Sequence, residues 1–209
     1  MRKAIEKNAK LLALFAVACT AVISSVYLIT KDKIKSQEEK KLTTTLTHII
    51  DASTYNNNIY QDCIIINDPR LSASSEKAYL AKYDQQPIGA AITTTAPDGY
   101  NGKIHLIVSI KADGSVSGVR TLQHKETPGL GDKVEIRKHP WIDSFKAKAV
   151  LTEKDTRWAV KKDGGMFDQF TGATITPRAV VKAVHKAVVF YKNQQQQLFQ
   201  QESNCQEPS

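Results

Sequence analysis

The sequence predicts an α+β protein: an antiparallel sheet with flanking helices, preceded by one N-terminal transmembrane helix. Three observations carry this. Residues 11–30 form an uncharged apolar run. Residues 103–111, KIHLIVSIK, place Ile104, Leu106, Val108 and Ile110 on alternate positions between turn-rich segments. Near the C-terminus, Val180, Val184, Ala187, Val188 and Tyr191 recur at helical spacing. Strands joined by short connections, followed by a helix, suit a meander covered on one face.

The apolar run reads LLALFAVACTAVISSVYLIT between Lys10 and Lys31. At about 1.5 Å per residue it can cross a hydrocarbon core of about 30 Å. A cleavage site at Ala16-Val17-Ala18, or a lipoprotein signal ending at Cys19, would leave the apolar run continuing to Ile29. An uncleaved single-pass anchor therefore fits better, with 1–10 as a cytoplasmic tail. Basic residues flank both ends (Arg2, Lys3, Lys7 and Lys10; then Lys31, Lys33, Lys35, Lys40 and Lys41, diluted by Asp32, Glu38 and Glu39), so charge does not set the orientation.

Residues 31–58 read as a membrane-proximal helical stalk. Leu42, Leu46, Ile49 and Ile50 form its apolar stripe, and Asn56-Asn57-Asn58 breaks it. A domain over 59–192 follows. Its expected strands are 63–66, 78–83, 88–96, 103–111 and 116–123. The turn 97–102 contains Asp-Gly and Asn-Gly, and 112–115 reads as a hairpin turn. His105 falls on the sheet face opposite Leu106. A short helix over 132–138, capped by Asp132, should end at His139-Pro140-Trp141. Trp141, Ile142 and Phe145 should close the core, 158–160 adds a strand, and 161–165 is a turn. The glutamine-rich stretch 193–209 reads as a polar, loosely ordered tail.

The chain has 209 residues and a formal net charge of +8, spread thinly beyond the first ten residues and not interleaved with aromatics. Nucleic-acid binding is not expected. No Cys-x-x-Cys or histidine cluster suggests a metal site. Cys63 and Cys205 can pair if their segment lies in an oxidising compartment, but sequence does not establish pairing.

The densest chemistry lies at 168–178, DQFTGATITPR. Pro177 suits the first helical position, which makes Thr176 the expected N-cap. A hydroxyl beside a helix N-terminus is an anion site, and Gly172 and Ala173 admit a bulky group. Most Thr-Pro helix starts only cap a helix. A second segment, His124-Lys125-Glu126-Thr127-Pro128-Gly129-Leu130-Gly131-Asp132-Lys133, is turn-rich.

Asp168-x-x-Thr171-Gly172-Ala173-Thr174-x-Thr176 resembles the flavinylation motif of the FMN-binding domain family. The Glu126-Thr127-Pro128-Gly129-Leu130-Gly131 segment resembles the flavin-side loop of the same family. Within that family the single anchor, residues 96–100, 158–165 and 170–178 are most similar to G subunits of Rnf-type electron-transport complexes. The resemblance implies an FMN whose phosphate is esterified to Thr176 by a flavin transferase with FAD as donor. It implies that Thr171, Gly172, Ala173 and Thr174 surround the phosphate, that Glu126 and Thr127 contact the flavin or its ribityl chain, and that Asp168 serves transferase recognition. It further implies electron relay with the other subunits of the complex, coupled to ion translocation, and a domain on the periplasmic side of the bacterial inner membrane. The competing reading is a non-redox single-pass anchor and interaction module.

Overall fold

The computed structural model describes residues 2–205. Met1 and 206–209, the last part of the expected polar tail, lie outside them, as do the side chains of residues 2–4, 35, 38 and 39 in the charged flanks. The chain divides into two compact units, Met1–Thr44 and Thr45–Ser209.

The first unit is carried by helix α1, Arg2–Ile49, which contains an apolar stretch, Ile5–Ile34, long enough to cross a membrane. Leu12, Val17, Ile23 and Leu28 are exposed on it, as suits a helix solvated by lipid. Its hydroxyls return their protons to the backbone one turn earlier: Thr20 to the Ala16 carbonyl at 2.8 Å, Ser25 to Ala21 at 2.7 Å and Thr30 to Val26 at 2.8 Å. These groups are thus satisfied without water.

The second unit is built on a five-stranded antiparallel meander: β1 (Cys63–Ile66), β2 (Glu76–Tyr83), β3 (Gln86–Gly99), β4 (Gly102–Lys111) and β5 (Val116–Gln123). Ala90 pairs with Ile110 and Ile92 with Val108. The apolar face so formed packs against helix α2, Ile175–Gln200, through Val180, Val184, Ala187, Val188 and Tyr191, all buried. His105 lies opposite Thr95, its Nδ1 3.1 Å from the threonine hydroxyl. At the other end of β4, Asp113 Oδ1 accepts the Ser115 N–H at 2.8 Å and Gly114 takes φ +83°, which shapes the expected hairpin turn. Leu46, Ile49 and Ile50 from the end of α1 are buried in this unit, and Ser117 Oγ donates to the Ile49 carbonyl at 2.8 Å.

Several expected elements differ. β3 runs on through Pro97 and Asp98, so the turn shrinks to Tyr100–Asn101 between paired Gly99 and Gly102. Pro97 is accommodated because the register shifts between Ala96 and Gly99, where a missing N–H breaks no ladder bond. The short helix expected over 132–138 is a 3₁₀ turn, Gly131–Val134, with Asp132 inside it and not capping it. His139-Pro140 starts a 3₁₀ helix, Pro140–Phe145, because His139 Nδ1 accepts the Trp141 N–H at 3.1 Å. Residues 158–160 make only one bridge, Val160 to Phe167, since Trp158 and Phe167 turn inward to the Phe145 ring. His185 on α2 is half-buried against Trp158, the ring centroids 5.8 Å apart.

The tail is the largest correction. α2 continues to Gln200 and buries Leu198, so 193–200 is helix. Beyond it, Asn204 lies along β1: its N–H donates to the Cys63 carbonyl at 3.0 Å and its Oδ1 accepts the Ile65 N–H at 2.7 Å. Cys63 and Cys205 are disulfide-bonded, their Cα atoms 5.6 Å apart.

Candidate functional site

Antiparallel pairing of β3 with β4 brings the Tyr100–Asn101 turn to one end of the sheet, and the chain leaving β5 passes directly beside it. Asn101 fastens the two: its N–H donates to Glu126 Oε1 at 3.0 Å and its side-chain amide to the Lys125 carbonyl at 2.7 Å. The Glu126 N–H donates to His124 Nδ1 at 3.0 Å. His124 Nε2 lies 2.8 Å from Glu135, and this bond holds the Glu135 carboxyl below its usual range. The Thr127 carbonyl then accepts the Leu130 and Gly131 N–H groups at 3.2 and 3.1 Å, folding the segment into a tight loop around Gly129, φ +77°.

The threonine motif closes the other side. Trp141 Nε1 donates to the Asp168 carbonyl at 2.7 Å, and Phe170 bridges Ala173 around Gly172, φ +78°. That left-handed turn is open to glycine and strained for most other residues. Arg178 clamps the start of α2 to the preceding turn through two bonds of 2.6 Å to Asp163. The clamp and the Arg178 guanidinium hold the Asp163 carboxyl below its usual range.

Thr176 is not the N-cap. α2 begins at Ile175, Thr174 occupies the cap position without a side-chain cap bond, and Thr176 and Pro177 lie within the first turn. Proline is tolerated there because no N–H of the first turn has an intrahelical partner. The shift turns the Thr176 side chain inward. It is 1 % exposed, and its hydroxyl donates to Glu126 Oε2, itself on a residue 5 % exposed.

A cavity of about 260 Å³ opens above this pair, lined by Glu126, Thr127, Gly131, Gly172, Ala173, Thr174 and Thr176, with Tyr100, Leu130 and Ile175. The fold therefore gathers all but two of the residues expected at the site. Thr171 is exposed on the loop beside it. Asp168 points to solvent, paired with Lys161 at 2.6 Å. Tyr100, Leu130 and Ile175 went unrecognised in the sequence. They are 67, 43 and 46 % exposed, and only the folding of three separate segments to one rim marks them. A larger groove of about 590 Å³ lies at the opposite end of β3 and β4, beside Ile49 and Ile50. It lacks a buried nucleophile held by an acid.

The first-turn N–H groups of α2 favour a phosphate at Thr176. Gly172 and Ala173 leave the backbone open, and three exposed side chains, Tyr100, Leu130 and Ile175, offer a surface to a flat ring system. The chemistry of this lining suits an FMN, with polar groups for its phosphate and a rim for its ring system.

The model of the family described as FMN-binding domain matches residues 99–189, and that of the RnfG N-terminal region matches 1–49. G subunits of ion-translocating oxidoreductase complexes are similar to this chain over nearly their whole length. The one from Shewanella loihica is 49 % identical, covering 98 % of both chains. One from Aliivibrio fischeri is 47 % identical over 98 % of this chain and 99 % of its own. One from Vibrio cholerae is 48 % identical with the same coverage. With both family models placed where the anchor helix and the threonine-lined cavity lie, the chain belongs to the RnfG family, the G subunits of ion-translocating oxidoreductase complexes, and carries its FMN-binding domain.

Proposed function

We propose that this chain carries one FMN joined by a phosphoester to Thr176 and relays electrons within a membrane complex, coupled to ion translocation across the inner membrane. The observation that carries this reading is the Thr176 hydroxyl at the base of the cavity, in the first turn of α2. Bound FMN supplies reversible redox chemistry; the protein binds and orients it. Thr176 provides the ester oxygen. Gly172 and Ala173 clear space around the phosphate. Thr174 and Thr127 line the approach, and Tyr100, Leu130 and Ile175 face the ring system. A covalent link keeps the cofactor where it cannot be replaced from the cytoplasm.

On this reading 1–10 is cytoplasmic, 11–30 crosses the membrane, the helical segment after it leads outward, and the flavin-bearing domain is periplasmic. The Cys63–Cys205 disulfide supports that side, since such bonds persist in oxidising compartments. The partners are the other subunits of the complex and a flavin transferase. The solvent-facing carboxylate of Asp168, outside the cavity wall, supports a role for it in recognition by the transferase. Intact-protein mass spectrometry with peptide mapping, on chain made alongside the transferase, should find one FMN on the peptide containing Thr176. Thr176→Val should abolish UV-excited in-gel fluorescence. Fluorescence that survives Thr176→Val would sink the assignment, and unlabelled wild-type protein would favour a cofactor-free anchor module.

A further inference from the structure

We propose that Glu126 is the general base for flavin attachment, taking the Thr176 hydroxyl proton as the phosphoester forms. The inference rests on the reading of Thr176 as the attachment site.

A threonine hydroxyl has one proton and two lone pairs. Donation of that proton to Glu126 Oε2 leaves both lone pairs free, and the cavity above them is where a flavin phosphate would enter. Glu126 is itself fixed: its other oxygen accepts the Asn101 N–H at 3.0 Å. One carboxylate oxygen therefore holds the loop while the other faces the nucleophile.

The surroundings are cut to make room for this pair. A Cβ at Gly131 would stand 2.8 Å from both Glu126 Oε2 and Thr176 Oγ1. A Cβ at Gly99 would stand 2.9 Å from Glu126 Oε1. Two glycines, fifty residues of chain folded between Glu126 and Thr176, and the Asn101 turn thus converge on a single hydroxyl–carboxylate contact. A structural staple for the loop needs only the Asn101 bond. The contact to Thr176 places an acceptor on the atom that must lose a proton.

In the step, Thr176 Oγ1 forms a bond to the flavin-side phosphorus of FAD. The bond from that phosphorus to the bridging oxygen breaks, and adenosine monophosphate leaves with the bonding electron pair. The Thr176 proton passes to Glu126. The carboxyl is then neutral, and its new O–H can donate to an oxygen of the phosphodiester, so the product is not left with two negative groups in contact.

The test compares an acid with its amide of equal length. Full-length chain in detergent is incubated with flavin transferase and FAD, and attached FMN is followed by intact mass against time. Glu126→Gln should slow attachment at Thr176 by about 100-fold or more, the usual yield of general-base catalysis. Glu126→Asn should be slower than Glu126→Asp in the same sense. Near-UV circular dichroism and the thermal midpoint identify which variants fold, so either pair gives the answer if the other is lost. A folded amide variant labelled as fast as its acid counterpart overturns the role of Glu126 and leaves Thr176 as the site. Labelling of Thr176→Val overturns the attachment site itself, and the two failures are distinct.

Discussion

Gly131 bears most directly on the site, because its missing side chain is what lets the loop close over Glu126 and Thr176. Gly131→Ala should destabilise the domain by about 1–3 kcal/mol, the usual cost of overpacking. It should also slow flavin attachment more than thermal unfolding data alone would suggest, because the displaced atoms are the reacting pair. A thermal midpoint beside a labelling time course checks both. His185 gives a second residue-scale expectation. Burial against Trp158 pushes its imidazole below the ordinary histidine value, and its Nε2 has no hydrogen-bond partner among the described residues. Well above a pH of about 6.5 the ring is neutral in both folded and unfolded chain, so its ionisation does not affect stability. Below that, the unfolded chain binds a proton that the folded one resists, and stability falls with acidification. His185→Leu should show a shallower loss of thermal midpoint than the wild type as pH falls from about 7 to about 5.5, the window just below the ordinary histidine value.

Among the elements, β1 depends most on a distant segment. It is a four-residue edge strand, and Asn204 occupies its free hydrogen-bonding groups while Cys205 ties it covalently. An edge covered this way cannot pair with another chain. Cys205→Ser should cost about 2–4 kcal/mol and lower the thermal midpoint by about 5–15 °C, measured by differential scanning calorimetry. A reducing agent should do the same to the wild type and nothing further to the variant. The end of α1 is the other sensitive junction. A Cβ at Gly118 on β5 would stand 3.0 Å from Ile49. Gly118→Val should therefore loosen the seating of 45–50 on the sheet, seen as faster amide hydrogen exchange there.

At the scale of the whole molecule, the Thr176 cavity and the entry of the chain into the domain lie at opposite ends of β3 and β4. The segment 45–50 packs at one end, and the glycine-rich loop and α2 start form the other. This separates the proposed attachment site from the point where the chain enters the domain. Protease added to intact spheroplasts should digest the domain if it is periplasmic. Digestion only after lysis would place it on the other side.

The anchor helix, the meander and α2 were legible in the sequence because each rests on a local period: an uncharged run, an alternation of two, a spacing near 3.6. The motif residues were legible through resemblance, with spacing alone allowing no more than a helix cap. The tail shows where local composition misleads. Glutamines are compatible with helix, Leu198 is buried in the core, and Asn204 and Cys205 tie the segment to a strand some 140 residues earlier. Thr176 shows the same limit at one residue. Thr-Pro predicts a cap, but Gly172 and the Arg178–Asp163 clamp start the helix earlier and turn the hydroxyl inward. From sequence alone came the elements, the membrane span and the kind of chemistry, because these follow from patterns a few residues long. Tertiary structure alone decided the Glu126–Thr176 contact, the apolar rim and the disulfide, because those contacts join segments that only the folded sheet brings together.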